Sequence, residues 1–312
     1  MGFTVSSLTN YVDQSSTELI AAAQFKSETA ALANIQTGVK SSAALQILTV
    51  SPIPQGGNGV LSCGFTATGD VTFSQRTIES KPLKYEDALC PKNLEAKWTQ
   101  LLLRSGQNYT EADIPAMVMD EIIKVINKNN EVADWQGNTS SGSAYLSPYD
   151  GLIKIINAAS GVVTATASIY NTTNCRTIVA NILTNIPAAL KGDPDVKIFM
   201  GYDAAEIYRQ KLMNDNLYHV PAGTGRPLLA EGSVVEIIPV HGLDGLYSVS
   251  GQSCIFAMKP SNMYLGVDMQ GEEEQARMWV DGSDMETVKY RVAYRRGWQV
   301  AIPSEIVKYA NS

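Results

Sequence analysis

The spacing of apolar positions changes character several times along the chain. The first 42 residues are rich in Ser, Thr, Ala and Gln and keep only a weak helical period through Leu19, Ala22, Ala23 and Ala30. Too few large apolar side chains are present for a core, so this segment reads as an arm that must lie on something else. From Leu45 the pattern turns to β. Residues 46–50 read as a strand, and Pro52, Pro54, Gly56, Gly57 and Gly59 break it. Residues 65–68, a Gly69-Asp70 turn and residues 71–78 predict a two-stranded hairpin, with Arg76, Glu79, Lys81, Lys84, Glu86 and Asp87 decorating its return strand. A hairpin that long is marginal alone and should extend over a neighbour.

A helix is predicted from an Asp113 cap to about Asp134, with Pro115 tolerated in its first turn. Ile114, Val118, Ile122, Val125, Ile126 and Ala133 recur at helical spacing, while Asp120, Glu121, Lys124, Lys128 and Glu131 occupy the other face. At 1.5 Å per residue this spine is ~30 Å long. Trp135-Gln-Gly-Asn138 terminates it. Thr173 or Asn174 then opens a second helix, striped by Ile178, Ile182, Ile186 and Leu190 and stopped at residues 191–195. Strands over 196–200, 234–240 and 254–258 and a helix over 203–213 argue for an α/β layer with glycine-rich loops at 221–227 and 241–245. The tail alternates as strands over 263–269, 275–280, 287–295 and 297–302.

Composition narrows the function classes. The 312 residues are 45% hydrophobic and 18% charged, enough for a sizeable core. Lys and Arg number 24 against 31 Asp and Glu, a net charge of −7 that disfavours gripping nucleic acid or an anionic membrane by bulk charge. Apolar runs such as 161–169 fall short of the ~20 residues a membrane helix needs. The polar start predicts no signal peptide, hence a chain used inside a cell or released by lysis.

Cys63, Cys90, Cys175 and Cys254 are too scattered for a zinc site or a disulfide framework and read as reduced. No phosphate-binding, dinucleotide-binding, zinc-protease or serine-hydrolase motif occurs, so neither cofactor nor metal is expected. Asp281 and Asp284 around Gly282 lack the alternating oxygens of a calcium loop and read as a turn. A hydrolase built on a histidine base would have to use His219 or His241, neither of which sits in a motif.

The order of parts carries a resemblance. A poor-core arm, an extended hairpin, a spine ending in Trp135-Gln-Gly-Asn138, and Pro148-Tyr-Asp-Gly-Leu-Ile153 resemble the major capsid protein of tailed bacteriophages, the Hong Kong 97 fold. Val196-Lys-Ile-Phe-Met-Gly-Tyr202, the segment 212–218, the segment 229–239 and the closing 291–309 are similar to later parts of that α+β fold. The resemblance implies an N-terminal arm over 1–42 and an extended-hairpin E-loop over 43–90. It implies a spine-helix peripheral domain over 91–149 and 263–296, and an α/β axial domain over 150–262 and 297–312. It implies a non-enzymatic subunit forming pentamers and hexamers of an icosahedral shell around double-stranded DNA. Its partners would be further copies, a portal, separate scaffolding or decoration proteins and weakly touched DNA, with no membrane. Assembly would take place in the host cytoplasm and the product would be the virion. An encapsulin-type compartment is the structural alternative.

Charge suggests where copies meet. Lys289, Arg291, Arg295 and Arg296 place four positive charges within eight residues of an acidic chain, with Glu272, Glu273, Glu274, Asp120, Glu121 and Glu131 as matching acids. On a strand, Lys289, Arg291 and Arg295 share one face and Arg296 takes the other. Arg76, Lys81, Lys84, Glu121, Glu272, Glu273, Glu274, Lys289, Arg291, Arg295 and Arg296 form the expected subunit interface, with a solvated β edge guarded by its charges as the alternative reading of the strand.

Overall fold

The computed structural model describes residues 16–51, 69–89, 113–215, 227–268, 275–280 and 287–312. The described chain runs α1 (Ser16–Phe25), β1 (Asn34–Gln36), β2 (Ser42–Ser51), β3 (Asp70–Glu79), β4 (Lys81–Leu89), α2 (Asp113–Gln136), α3 (Leu152–Ala158) and β5 (Val163–Thr164). It continues with α4 (Cys175–Asn185), β6 (Lys197–Met200), α5 (Tyr202–Asn214), β7 (Leu228–Leu229), β8 (Glu236–Pro239), β9 (Ser253–Met258), β10 (Met263–Gly266), β11 (Gln275–Val280), β12 (Val288–Val300) and β13 (Val307–Ala310).

A six-stranded sheet, ordered β5-β13-β9-β6-β8-β7, forms the α/β layer. Alternation along its central strands serves two cores. Ile198, Met200, Ile255 and Ala257 meet Ile178, Ile182, Tyr208 and Leu212 of α4 and α5, whereas Phe199 and Phe256 belong to the core that holds the spine α2. Trp135 at the end of α2 lies 5.8 Å from the Phe199 ring and 5.5 Å from the Phe256 ring, joining spine and sheet.

The second sheet is built on β12. β4 pairs along one edge over 288–296, β11 along the other over 288–293, and β10 takes 297–300. Val288, Val292, Tyr294, Ala276 and Met278 turn inward onto Met119, Ile123 and Ile126 of α2 and Leu19 and Ala23 of α1. The tail expected as two strands, 287–295 and 297–302, is therefore one 13-residue strand. Gly297 makes its continuity possible, because a Cβ there would lie 1.8 Å from the Glu79 carbonyl oxygen.

Several expectations are corrected. Val71 to Ile78 pair with β2, from Ser51 opposite Asp70 to Ser42 opposite Glu79, so Asp70 belongs to the strand rather than to a turn. Residues 65–68 lie outside the described residues. The return strand stops at Glu79, and 81–89 belong to the β12 sheet rather than to the hairpin. α4 ends at Asn185 because Ile186 precedes Pro187 and takes extended ψ of 129°. On α2 Val118, Ile126 and Ala133 are buried as the spacing predicts and Met119 and Ile123 join them, while Val125 is exposed. The arm from Ser16 onward packs on its own chain: α1 rests against α2, β11 and β12, and β1 adds in parallel to β10.

The hairpin has a fixed root. Ser80 donates its N–H to Ser41 at 2.9 Å and its hydroxyl to Val39 at 2.5 Å, over a small cluster of Val39, Leu45 and Ile78. Gln299 of β12 receives Arg76 at 3.0 Å and donates to the Thr77 carbonyl at 2.7 Å. Ile78 is the one buried side chain of β3. The strand pair beyond this root is a cantilever. Gly297→Ala should force Glu79 away from β12 and cost about 2–3 kcal/mol, as overpacking does. Thermal unfolding checks it, and an unchanged Tm would mean that the hairpin root yields freely.

Candidate interaction surfaces

The inner side of β12 carries a charge with no access to water. Arg296 and Asp134 are both fully buried, and the guanidinium meets the carboxylate twice, Nε to Oδ1 at 2.8 Å and Nη2 to Oδ2 at 2.5 Å. Arg296 also donates to the Gln24 carbonyl and, at 2.9 Å, to the Ser27 hydroxyl. Asp134 accepts from Trp298 Nε1 at 2.6 Å and from the Tyr149 hydroxyl at 2.7 Å. Arg296 is thus held inside one chain and leaves the expected subunit interface. A buried pair of this kind persists only when its remaining donors and lone pairs are satisfied, and losing one partner strands the other.

Three neighbours on α2 extend the network. Glu131 accepts from the Thr29 N–H at 2.9 Å and from its hydroxyl at 2.5 Å, and Trp135 Nε1 donates to the same hydroxyl at 2.7 Å. Asn130 donates to the Ala23 carbonyl at 2.9 Å and accepts from Tyr294 at 2.8 Å and Tyr85 at 3.1 Å. Glu131 was expected on the polar face of the spine. It is buried instead, because the last turns of α2 are covered by the arm as well as by the sheets. Burial, followed by the nearby Asp134, pushes its carboxyl up to about 7.

The outer side of the same sheet is cationic. Arg277 of β11 stands directly opposite Arg291 of β12, which stands opposite Glu86 of β4; the next rung pairs Trp279, Lys289 and Ala88. Glu86 receives both Arg291 and, at 2.8 Å, Lys84, and these bonds hold its carboxyl below the usual range. The fold therefore brings Lys84, Lys289, Arg291 and Arg295 together and adds Arg277 and Trp279, which the alternation of 275–280 placed on one side but no motif marked. Arg291 has its carboxylate partner, Glu86, within the chain. Arg76 lies apart at the hairpin root, Lys81 pairs with Glu79 at 3.0 Å, and Glu121 pairs with Lys124 at 2.9 Å on the spine. Glu272, Glu273 and Glu274 lie outside the described residues.

The hairpin presents an apolar face. Leu48 pairs with Phe73 and Val50 with Val71, and directly opposed residues share a side of the ribbon. All four are more than half exposed, Phe73 the most at 76%. Contiguous apolar surface of this kind marks contact with another molecule.

The catalytic candidates fare differently. His241 Nδ1 lies 2.8 Å from Asp244, its ring stacks on Tyr202 at 4.2 Å, and its backbone N–H donates to Glu28 at 3.0 Å, an arrangement that clips the arm to the α/β layer. Cys175 and Cys254 are buried, and burial pushes the Cys254 thiol up to about 12, far from reactive thiolate. A recess of about 460 Å³ is lined by Gln136, Asn138, Lys154, Asn157 and Gln252, but Lys154, its titratable group, is tied to Asp150 at 2.7 Å. Among the described residues no group of three His, Cys, Asp or Glu could hold a metal, and no helix is long and apolar enough to cross a membrane. His219, Cys63, Cys90, Asp281 and Asp284 lie outside the described residues.

Glu131 makes the arm's attachment depend on pH. Its folded pKa is raised, so its contribution is full below about 4.5, where the unfolded carboxyl titrates, and is lost as pH rises through about 7. His241, raised first by its bond to Asp244, acts with the same sign. Stability should fall by on the order of 3 kcal/mol between about pH 5 and 8. Glu131→Gln should flatten most of that slope in Tm measured across the range; an equally steep slope in the variant would place the titrating group elsewhere.

Comparison with known proteins points one way. No family model and no curated protein sequence matches the chain. Solved structures do: the satellite phage P4 procapsid with its size determination protein matches at TM-score 0.60 and 11% identity, covering 94% of this chain and 90% of that one. Gordonia phage Cozz matches at TM-score 0.60 and 12% identity over 92% and 86%, and the virus-like particle from Pyrococcus furiosus at TM-score 0.51 and 11% identity over 96% and 99%. The chain is similar over about 90% of its length to capsid proteins of tailed phages and has a mixed α+β fold of that kind.

Proposed function

We propose that this chain is the major capsid subunit of a tailed bacteriophage, assembling through pentamers and hexamers into an icosahedral shell around double-stranded DNA. The observation that carries the reading is the cantilevered hairpin. Its root is fixed by Ser80, Gly297 and Gln299, yet the Leu48, Val50, Val71 and Phe73 face is left uncovered by the described residues of its own chain. A neighbouring copy supplies such a cover, and repeated around a closed ring the contact builds a capsomer.

In this reading β2 and β3 form the E-loop, the β12 sheet with α2 the peripheral domain, and the six-stranded sheet with α4 and α5 the axial domain. The arm lies on its own peripheral domain from Ser16 onward. Partners are further copies, a portal, separate scaffolding or decoration proteins and weakly touched packaged DNA; the assembled product is the virion, built in the host cytoplasm. The subunit is structural rather than enzymatic.

The similarity to the Pyrococcus furiosus particle favours a second reading, an encapsulin-type compartment that encloses protein cargo. Nuclease-protected DNA in particles purified from the native source supports the capsid; a co-purifying enzyme without DNA supports the compartment.

Replacing Leu48, Val50, Val71 and Phe73 together by Thr should abolish assembly, read by sedimentation and electron microscopy. Because these side chains are exposed, the free subunit should keep its stability to within about 0.5 kcal/mol per substitution. Wild-type particle yield from the variant would remove the hairpin face from the assembly contact.

A further inference from the structure

The outer face of the β12 sheet is arranged against the subunit's own interest. Arg277 and Arg291 are cross-strand partners, and like charges set directly opposite one another weaken a strand pair. Lys84, Lys289 and Arg295 share this face, and Glu86 is its one carboxylate on β4, β11 and β12. Glu86 is already engaged by Lys84 and Arg291. Among the described residues of β4, β11 and β12, Arg277 and Arg291 outnumber Glu86 on this face, on a chain whose net charge is −7. Copies brought together elsewhere repel, whereas this face attracts the rest of another copy.

We propose that this face, centred on Arg277, Arg291 and Trp279, is a docking surface for carboxylates of a second copy of the chain. The proposal rests on the shell reading and names the chemistry of one of its contacts. A protein partner fits better than a nucleic-acid duplex. Trp279 is 40% exposed beside the cations, and Pro82, Ala88 and Ala293 share its side of the strands, so charge is set in an apolar floor. Trp and Arg are the residues most often found to carry protein–protein binding energy, while a duplex is held by cations following its phosphates. Carboxylates entering from a second copy relieve the Arg277–Arg291 opposition, to which the described residues bring Glu86 alone.

The test uses the full chain under conditions in which the wild type forms particles. Arg277→Glu with Arg291→Glu should reduce particle yield at least tenfold, while circular dichroism shows the free subunit still folded, with a Tm lowered by the three carboxylates then aligned across β11, β12 and β4. Arg277→Gln with Trp279→Ala, which adds no negative charge, guards against misfolding and should lower the salt concentration at which particles dissociate. In particles mixed from light and heavy isotope-labelled subunits, carbodiimide should join Lys84 or Lys289 to Asp or Glu of a differently labelled copy. Wild-type yield and salt dependence in both variants, or cross-links confined to single subunits, overturns the proposal and leaves the shell reading standing. Retention of a 30-base-pair duplex by wild type but not by the Glu variant, with assembly unchanged, overturns it in favour of nucleic acid. A wild-type chain that forms no particles removes the shell reading itself and the second-copy occupant with it.

Discussion

The buried ion pair between Arg296 and Asp134 is the constraint on which the rest of the subunit depends. It draws together the arm at Gln24 and Ser27, the end of the spine, the loop at Tyr149 and the long strand through Trp298. Its geometry also fixes the phase of β12. With Arg296 inward, Val292, Tyr294 and Trp298 are inward too, and Lys289, Arg291 and Arg295 must face out. A slip of one residue would put three cations into the core, so the pair acts as a register mark as much as a source of stability.

From that fixed strand the outward features follow. β4 and β11 take their positions from β12, which is why Arg277, Arg291 and Glu86 line up across three strands. The hairpin is aimed by the close approach of Gly297 to Glu79 and by the two bonds of Gln299. A rigid root under an uncovered apolar ribbon suits a part that must reach another molecule in a defined direction. An ordinary surface loop has neither the fixed root nor the apolar face.

Legibility in the sequence followed the range of the interactions. The spine's length, the strand at 275–280 and the split of Arg296 from Lys289, Arg291 and Arg295 are local periodicities and were readable. Glu131 was not, because its helical position looks polar and only the arm, about a hundred residues earlier, makes it buried. The pairing of 71–78 with Ser42–Ser51 was hidden for the same reason, since breakers separate the two strands in the sequence. The Arg277–Arg291 opposition depends on register between two strands, which neither strand states alone. The polar, Ala-rich arm reads as homeless by composition; it finds its place through Thr29 and Glu131 rather than through large apolar side chains.

The central claim is that the subunit's core is complete in one chain while its hairpin is completed by another. Hydrogen exchange compared between dissociated subunits and assembled particles tests this most directly. Amides of 130–136 and 292–298 should be protected equally in both states, and amides of 45–50 and 71–76 should gain protection in the particle. Hairpin amides unchanged by assembly would contradict the account.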